Sequence, residues 1–529
     1  MKYIVSFILL ATHFLFAQEG ERPGGVELPT FVITGKDVVE LPVVQKLDIQ
    51  LTPVLPASNF NPVFKPIKFS RREFKPAFKE LELPVYSFNP QFKGEVELGF
   101  GNIKTPTLNA DLMYITRELT ANAGVNGYNS KAFIENSEQF FTGTFARLNY
   151  YPYDAKGFFS DIFMSSGLNT HYSKYKLYGY SNPLTERNLK FYDIDVKFQK
   201  GKHSPFFLSV SAENRSTIIK EESFNSNVTL LNSQFGLHFA NFRMDVDGEF
   251  YVNKETITSS IIQNQFLLLK GSLTGMASDL LSVSGGAILS RNSTDTKISP
   301  LSSIRFRVFK EFEIGADYSS QHNFRNNAQL IRNNKYMNLF LPADLTSLTE
   351  KNISVFLKYE LPRTLCALLT LSDIEEKGYV FIDYNDSTSA FFPGRDDITG
   401  KKVSFDFSLH LGSLGSIHTD VEVNSFQTVS GGEVRGVYPF SSTISYTINP
   451  LSGFETSIAL LYKAPYFYTT RDLSKIDPSY NLSLGANYSI SDIFTLNINV
   501  SNLLDQKYYY FYNYLEPGRS VEAGFTFNW

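Results

Sequence analysis

The sequence predicts an all-β chain: a transmembrane antiparallel β-barrel of about 22 strands behind an extended N-terminal segment. Three observations carry that expectation. From about Gln91 to Trp529, apolar and polar side chains alternate in runs of roughly 10–14 residues. Such runs are longer than the strands of a soluble sandwich and long enough to cross a bilayer at a tilt. Breaks between them are alternately short and long, as in a barrel with tight turns on one side and loops on the other. Aromatic residues make up 15% of the chain, with 48 Phe and 30 Tyr, matching the need for a lipid-facing band and two interfacial girdles.

Residues 1–17 read as an export signal. Lys2 supplies the positive charge, and Ile4 to Phe16 form an apolar stretch interrupted by Ser6, Thr12 and His13. Ala17 before Gln18 is the expected cleavage point, although Leu15 is larger than the usual small residue two places earlier. No later run of about 18 apolar residues suggests a transmembrane helix. Residues 18–90 form a proline-rich segment, expected in the periplasm or the lumen. Its prolines at 23, 29, 42, 53, 56, 62, 66, 76, 84 and 90 disfavour helix interiors and central strands.

Over residues 91–529 the period is two. In the last strand Val521, Ala523, Phe525, Phe527 and Trp529 alternate with Glu522, Gly524, Thr526 and Asn528. The same pattern places Ile353, Val355, Leu357 and Tyr359 on one face, and likewise Val403, Phe405, Phe407 and Leu409. Short breaks fall near Glu118, 152–157, 201–203, Ala240, 276–277, Glu311, 361–363, 413–414, 449–451 and 491–492. Longer connections are expected near 129–138, 172–187, 218–224, 254–263, 292–297, 323–349, 375–399, 429–437, 466–477 and 504–516, with 376–385 counted as loop. Closure follows from the solvent: an open sheet edge in lipid leaves backbone groups unsatisfied.

A formal charge of −4 supplies no basic field for nucleic acid. The lone cysteine, Cys366, excludes an intramolecular disulfide and a cysteine-rich metal site. No glycine-rich phosphate loop lies between a strand and a helix, so nothing points to a nucleotide enzyme, and no cofactor is expected.

Two stretches resemble the TonB-dependent receptor family of outer-membrane transporters. The run from Asn502 through Leu503, Leu504, Asp505, Gln506 and Lys507 to Tyr508 and Tyr509, then Pro517 to Ser520 and the closing strand, is similar to the last two strands of that family. Leu28, Pro29, Thr30, Phe31, Val32, Ile33, Thr34 and Gly35 resemble the short motif before its plug domain. The resemblance implies a bacterial outer-membrane location and a barrel of 22 strands. It also implies an assembly signal in Phe525, Phe527 and Trp529, read by the barrel-assembly machinery. TonB, or another periplasmic protein, is then the partner expected to add a strand to Leu28, Pro29, Phe31, Val32, Ile33, Thr34 and Gly35. The family folds its plug between motif and barrel, but here only about 55 residues separate Gly35 from the first strand. A plug of that kind does not fit, so the lumen must be filled by the proline-rich segment, folded loops, a flattened cross-section or a partner.

One hairpin gathers titratable groups. With Phe405, Phe407 and Leu409 toward lipid, Asp406, Ser408 and His410 face inward; with Val421 and Val423 outward, so do His418, Asp420 and Glu422. A pairing of His410 with His418 across the turn fits the alternation, and a metal site, a Ser-His-Asp arrangement and a plain polar lumen wall all remain open. Against catalysis, residues two apart on one strand sit about 6–7 Å apart. Asp193, Asp195, Lys197, Arg305 and Arg307 are further inward charges, expected to pair across strands or tune selectivity. Tyr172, Tyr175, Tyr178 and Tyr180, the run Tyr508 to Tyr514, and Tyr466 to Tyr468 lie in long connections. They read either as an outer-leaflet girdle or as rings that stack on a ligand, Tyr175, Tyr178, Tyr508 and Tyr512 being the candidates. Three roles follow: passage or capture of a solute at the cell surface, an anchor for an envelope partner, and an outer-membrane hydrolase.

Overall fold

The computed structural model describes residues 89–529 except 153–156, 158–159, 202–204, 240, 259, 339–344, 386–388 and 469–474. The export signal at 1–17, residues 18–88 of the proline-rich segment and the stretch Leu28 to Gly35 lie outside the described residues.

Twenty-two strands form one antiparallel sheet that closes on itself. The first, Gln91–Gly101, pairs with Lys104–Ile115 on one side and with the last, Ser520–Asn528, on the other. Glu95 stands opposite Asn528 and Gly101 opposite Glu522, so no strand edge is left for lipid. Barrel strands range from 8 residues, Phe494–Ser501, to 21 in Leu365–Asn385 and Ala390–His410. No helix among the described residues is long and apolar enough to cross a membrane.

The alternation maps onto two faces. Val521, Phe527 and Trp529 are exposed, whereas Thr526 between them is buried. Ile353, Val355 and Leu357 are likewise exposed on the outside, forming the lipid-facing band. At the short-turn end, rings stack across the turns, Phe239 on Phe242 at 6.0 Å and Phe309 on Phe312 at 5.5 Å, as an interfacial girdle. The lumen side carries paired charges. Asp195 meets Arg147 at 3.8 Å, Arg305 reaches Glu313 and Asp317 at 3.9 Å each, and Arg307 reaches Glu313 at 3.7 Å. Lys197 stands in register with Ser165 and Ser211.

The motif that carried the resemblance has a local structural role. Asn502 and Asp505 both adopt positive φ, 49° and 53°. The Asn502 amide donates to Pro517 O at 3.1 Å, and the Asp505 carboxylate accepts from Arg519 N at 2.7 Å. The two halves of the motif therefore tie the base of the last loop together.

Several connections are shorter than the sequence suggests: strand covers 172–176 and 186–187 of the expected 172–187 connection, and 390–399 of the expected 375–399 connection. The expected loop at 254–263 is a tight turn, because the ladder runs up to Ile257 opposite Ser260. The stretch 376–385 is strand, pairing as far as Asn385 opposite Ala390 beyond a bulge between Glu376 and Tyr379. Gly378, at φ 61°, supplies the left-handed turn that this bulge needs. The alternation fails there because Val380, Phe381 and Tyr384 are buried on both faces of the hairpin. These changes lengthen strands already counted, so their number is unaffected.

Candidate functional site

The long connections fold inward and pack into one core across the mouth on their side of the barrel. Its buried members include Leu177, Ile219, Ile331, Met337, Tyr384, Tyr466 and Tyr514, contributed by connections and the strand ends that flank them around the barrel. Such residues can meet only by crossing the opening. This cap covers the lumen on the side of the long connections.

Its keystone is the connection between Phe312–Asn323 and Ser347–Leu361, which holds the helix Asn327–Asn333. The helix starts with a capping box: Asn326 accepts from Gln329 N at 2.8 Å, and the Gln329 side chain accepts from Asn326 N at 3.2 Å. Buried Glu255 accepts from the Asn327 side-chain amide at 2.8 Å and from Ala328 N at 3.4 Å, the latter satisfying one backbone donor of the first turn. Arg332 reaches down to the lumen face of the strand Glu186–Lys200 and holds Asp193 with two bonds of 2.8 and 2.7 Å. Its guanidinium also lies 4.4 Å from the Phe191 ring centre. Arg187, only 1% exposed, donates to Lys335 O at 2.7 Å and Met337 O at 2.9 Å while binding Glu222 through Nε at 2.7 Å. A fully buried guanidinium is tolerable because its charge is paired with Glu222 and its Nε and Nη1 both donate.

Of the candidate tyrosines, Tyr175 is a buried member of this core, Tyr178 and Tyr512 are partly buried and pack against it, and Tyr508 is buried outside it. Tyr175 is 3% exposed and donates to Lys335 O at 2.6 Å; Tyr178 donates to Leu515 O at 3.0 Å. Tyr512 stacks on Tyr468 at 3.7 Å, and Tyr336 on Tyr514 at 3.6 Å. Tyr508 is buried and accepts from the Asn481 amide at 3.1 Å. These rings form neither a girdle nor an exposed platform. Tyr172 keeps the girdle role, its ring 6.0 Å from that of exposed Phe140. The difference is physical: Tyr172 and Tyr175 lie on opposite faces of one strand, and Tyr175 on the inner face finds the Lys335 carbonyl as an acceptor for its hydroxyl.

Three charges sit among these rings. Lys463 lies 4.5 Å from the ring centre of Tyr438 and 4.4 Å from that of Tyr510, while Lys335 lies 5.0 Å from Tyr175 and 5.1 Å from Tyr336. Burial pushes the Glu516 carboxyl up to about 7, opposed by the neighbouring Lys335 and Lys463. Burial brings the Lys335 ammonium down to about 8, opposed by Glu516.

At the other end of the lumen, the hairpin Ala390–His410 and Ser416–Thr428 has a register different from the expected one. His410 pairs with Ser416, not with His418; His418 stands opposite Ser408, and Asp406 opposite Asp420. The turn Gly412–Leu414 is asymmetric about the two histidines, which shifts the pairing by two residues. His418 Nδ1 lies 3.0 Å from Ser408 Oγ, and its Nε2 lies 2.8 Å from Asp420 Oδ2. Spacing along the strand does not prevent the second contact, because the imidazole leans along its own strand toward Asp420. This resembles a nucleophile–base–acid line, but Ser408 belongs to a strand paired on both sides. The ladders use the backbone N–H groups there, leaving none to hold an oxyanion. A second such line, Ser290 Oγ to His322 Nδ1 at 2.8 Å with Asp295 at 3.5 Å, has a fully buried serine and is a packing feature.

A depression of about 530 Å³ lies on the outer face, where Ala121, Ala123 and Gly167 leave a hollow between Leu112, Leu148, Leu168 and Ile194. Its lipid-facing lining excludes it as a site for a polar solute.

Sequence reading missed Arg187, Glu255, Arg332, Lys335 and Glu516. Only the helix was signalled, by Asn326 and Gln329 ahead of Leu330 and Ile331. Phe525, Phe527 and Trp529 fall on or just beyond the closing strand, with Phe527 and Trp529 directed to lipid.

No protein-family model and no curated protein matches the sequence. Solved structures do match in fold. The copper transporter OprC aligns over 84% of this chain and 81% of its own, with a TM-score of 0.61 and 14% identity. The siderophore receptor PirA from Acinetobacter baumannii covers the same shares, with a TM-score of 0.64 and 11% identity. The FrpB iron transporter from Neisseria meningitidis aligns over 84% of this chain and 82% of its own, with a TM-score of 0.65 and 9% identity. The chain has the 22-stranded outer-membrane barrel fold of the TonB-dependent receptors.

Proposed function

We propose that this barrel is a receptor that captures a solute at the cell surface and admits it to the periplasm. The observation that carries the reading is the cap: a receptor-type barrel whose mouth is closed by a core of its own loops, above a polar, charge-paired lumen. A porin needs a standing aqueous path, whereas a capped barrel needs an opening step. TonB supplies that step in this reading, by pairing as an added strand with Leu28 to Gly35. Lipid of the outer membrane surrounds the exposed apolar band, and the barrel-assembly machinery inserts the chain through its last strand, with Phe525, Phe527 and Trp529 as the signal.

The test is calorimetric titration of the purified full chain with the periplasmic domain of TonB. The receptor reading predicts saturable binding that disappears when residues 28–35 are deleted. Absence of binding, together with stoichiometric co-purification of another envelope protein, would replace it with the anchor reading.

A further inference from the structure

We propose that Asp406, His418 and Asp420 form a binding site for one divalent transition ion of the zinc class on the lumen wall near the short-turn end. One ligand atom from each of the three side chains lies within 4.8 Å of the others. The register brings them together: Asp406 and Asp420 are directly opposed across the ladder, and His418 sits two residues from Asp420 on the same face. Tetrahedral zinc places its ligand atoms about 3.3 Å apart, so movement of about 1 Å in two carboxylates closes the site.

Three features make this more than a polar wall. The imidazole is fixed: its side chain is 5% exposed, and Nδ1 is anchored at 3.0 Å by Ser408 Oγ. Nε2 lies 2.8 Å from Asp420 Oδ2, so a cation would replace the proton between them while Nδ1–H donates to the Ser408 hydroxyl, the orientation that outer-sphere partners impose on a metal-bound histidine. The charge balances, because two carboxylates and a neutral imidazole cancel one divalent cation. Without a cation, two opposed carboxylates repel each other. Nearby charges are already engaged. Glu422 is bound to Lys402 at 2.6 Å and to the Asn424 amide at 2.7 Å, which leaves the fourth position to water or a solute donor. Asp420 keeps 39% of its side chain exposed, so the site can be reached. The nitrogen and oxygen donor set suits zinc, cobalt and nickel rather than calcium or magnesium.

The experiment uses the tag-free full chain in detergent, its folding checked by heat-modifiable electrophoretic mobility. Zinc is titrated by calorimetry, and cobalt is followed by its visible absorption. The proposal predicts one equivalent of zinc bound, with cobalt bands displaced by zinc. Asp406→Asn and His418→Ala should each weaken binding by more than about 100-fold, and Ser408→Ala by about 10-fold. His410→Ala should leave it unchanged, because His410 lies outside the group. No saturable binding by the folded wild-type chain would overturn the proposal. So would unchanged affinity in Asp406→Asn, a near-isosteric change that retains the fold even if His418→Ala does not.

Discussion

In the wall, a residue's neighbours follow from the hairpins: Ile353 faces Tyr318 on one side and Asp373 on the other, and each next residue repeats the rule. In the cap, Arg187 meets the carbonyl of Lys335, 148 residues away, and no rule of spacing connects them. The wall is held by many equivalent ladders with lipid on one side, so its stability is distributed. The cap is held by a few buried charges and stacked rings, so its stability is concentrated. Opening is therefore expected in the cap while the wall stays intact, as low-stability regions commonly serve as moving parts.

The largest effect breaks the wall. Deleting Phe527 to Trp529 removes the ladder partners of Val96 and Phe494 together with lipid-facing rings, and is expected to abolish insertion, measured by heat-modifiable mobility of membrane fractions. Normal insertion would show that closure does not depend on this strand end.

Arg187→Ala sharpens the contrast. It leaves Glu222 without its buried partner and frees the carbonyls of Lys335 and Met337, costing about 3–5 kcal/mol in the cap. Amide exchange over 334–338 should accelerate while barrel mobility stays normal. Global unfolding at the same midpoint as exchange would mean that wall and cap are one cooperative unit.

Val355→Arg probes the wall from lipid. An arginine on that face near the bilayer centre should cost about 2–4 kcal/mol in denaturant titration, with cap exchange unaffected.

The smallest effect is electrostatic. The Glu516 carboxyl titrates near 7 in the folded cap, above the value of about 4.3 for a free carboxyl. The folded cap thus holds this proton more tightly, an advantage complete below about 4.3 and lost as pH rises through about 7. Glu516→Gln should slow exchange over 508–516 at pH 8, by about 1 kcal/mol after allowance for solvent screening, and leave it unchanged at pH 4. Equal effects at both values would show that the carboxyl's charge is irrelevant to the cap.

The same contrast explains what the sequence could reveal. Alternation survives wherever one face meets lipid and the other the lumen, as from Val521 to Trp529, and so the strands, their faces and the closure were legible. It fails from Val380 to Tyr384, where a hairpin rises into the cap and is buried on both sides, and that strand reads as loop. Facing also survived in the hairpin of Asp406 and His418, but register did not, since turn geometry decides which inward residue meets which. The tyrosines of the cap were visible as a concentration of rings. Their burial was not, because Tyr178 is covered by Tyr514 and Tyr336 from two distant connections.

The most direct test of the cap is single-channel conductance in a planar bilayer, comparing the full chain with one lacking residues 18–90. Closure by the barrel's own loops predicts low conductance in both. A sharp rise on truncation alone would contradict it, assigning the occlusion to the N-terminal segment.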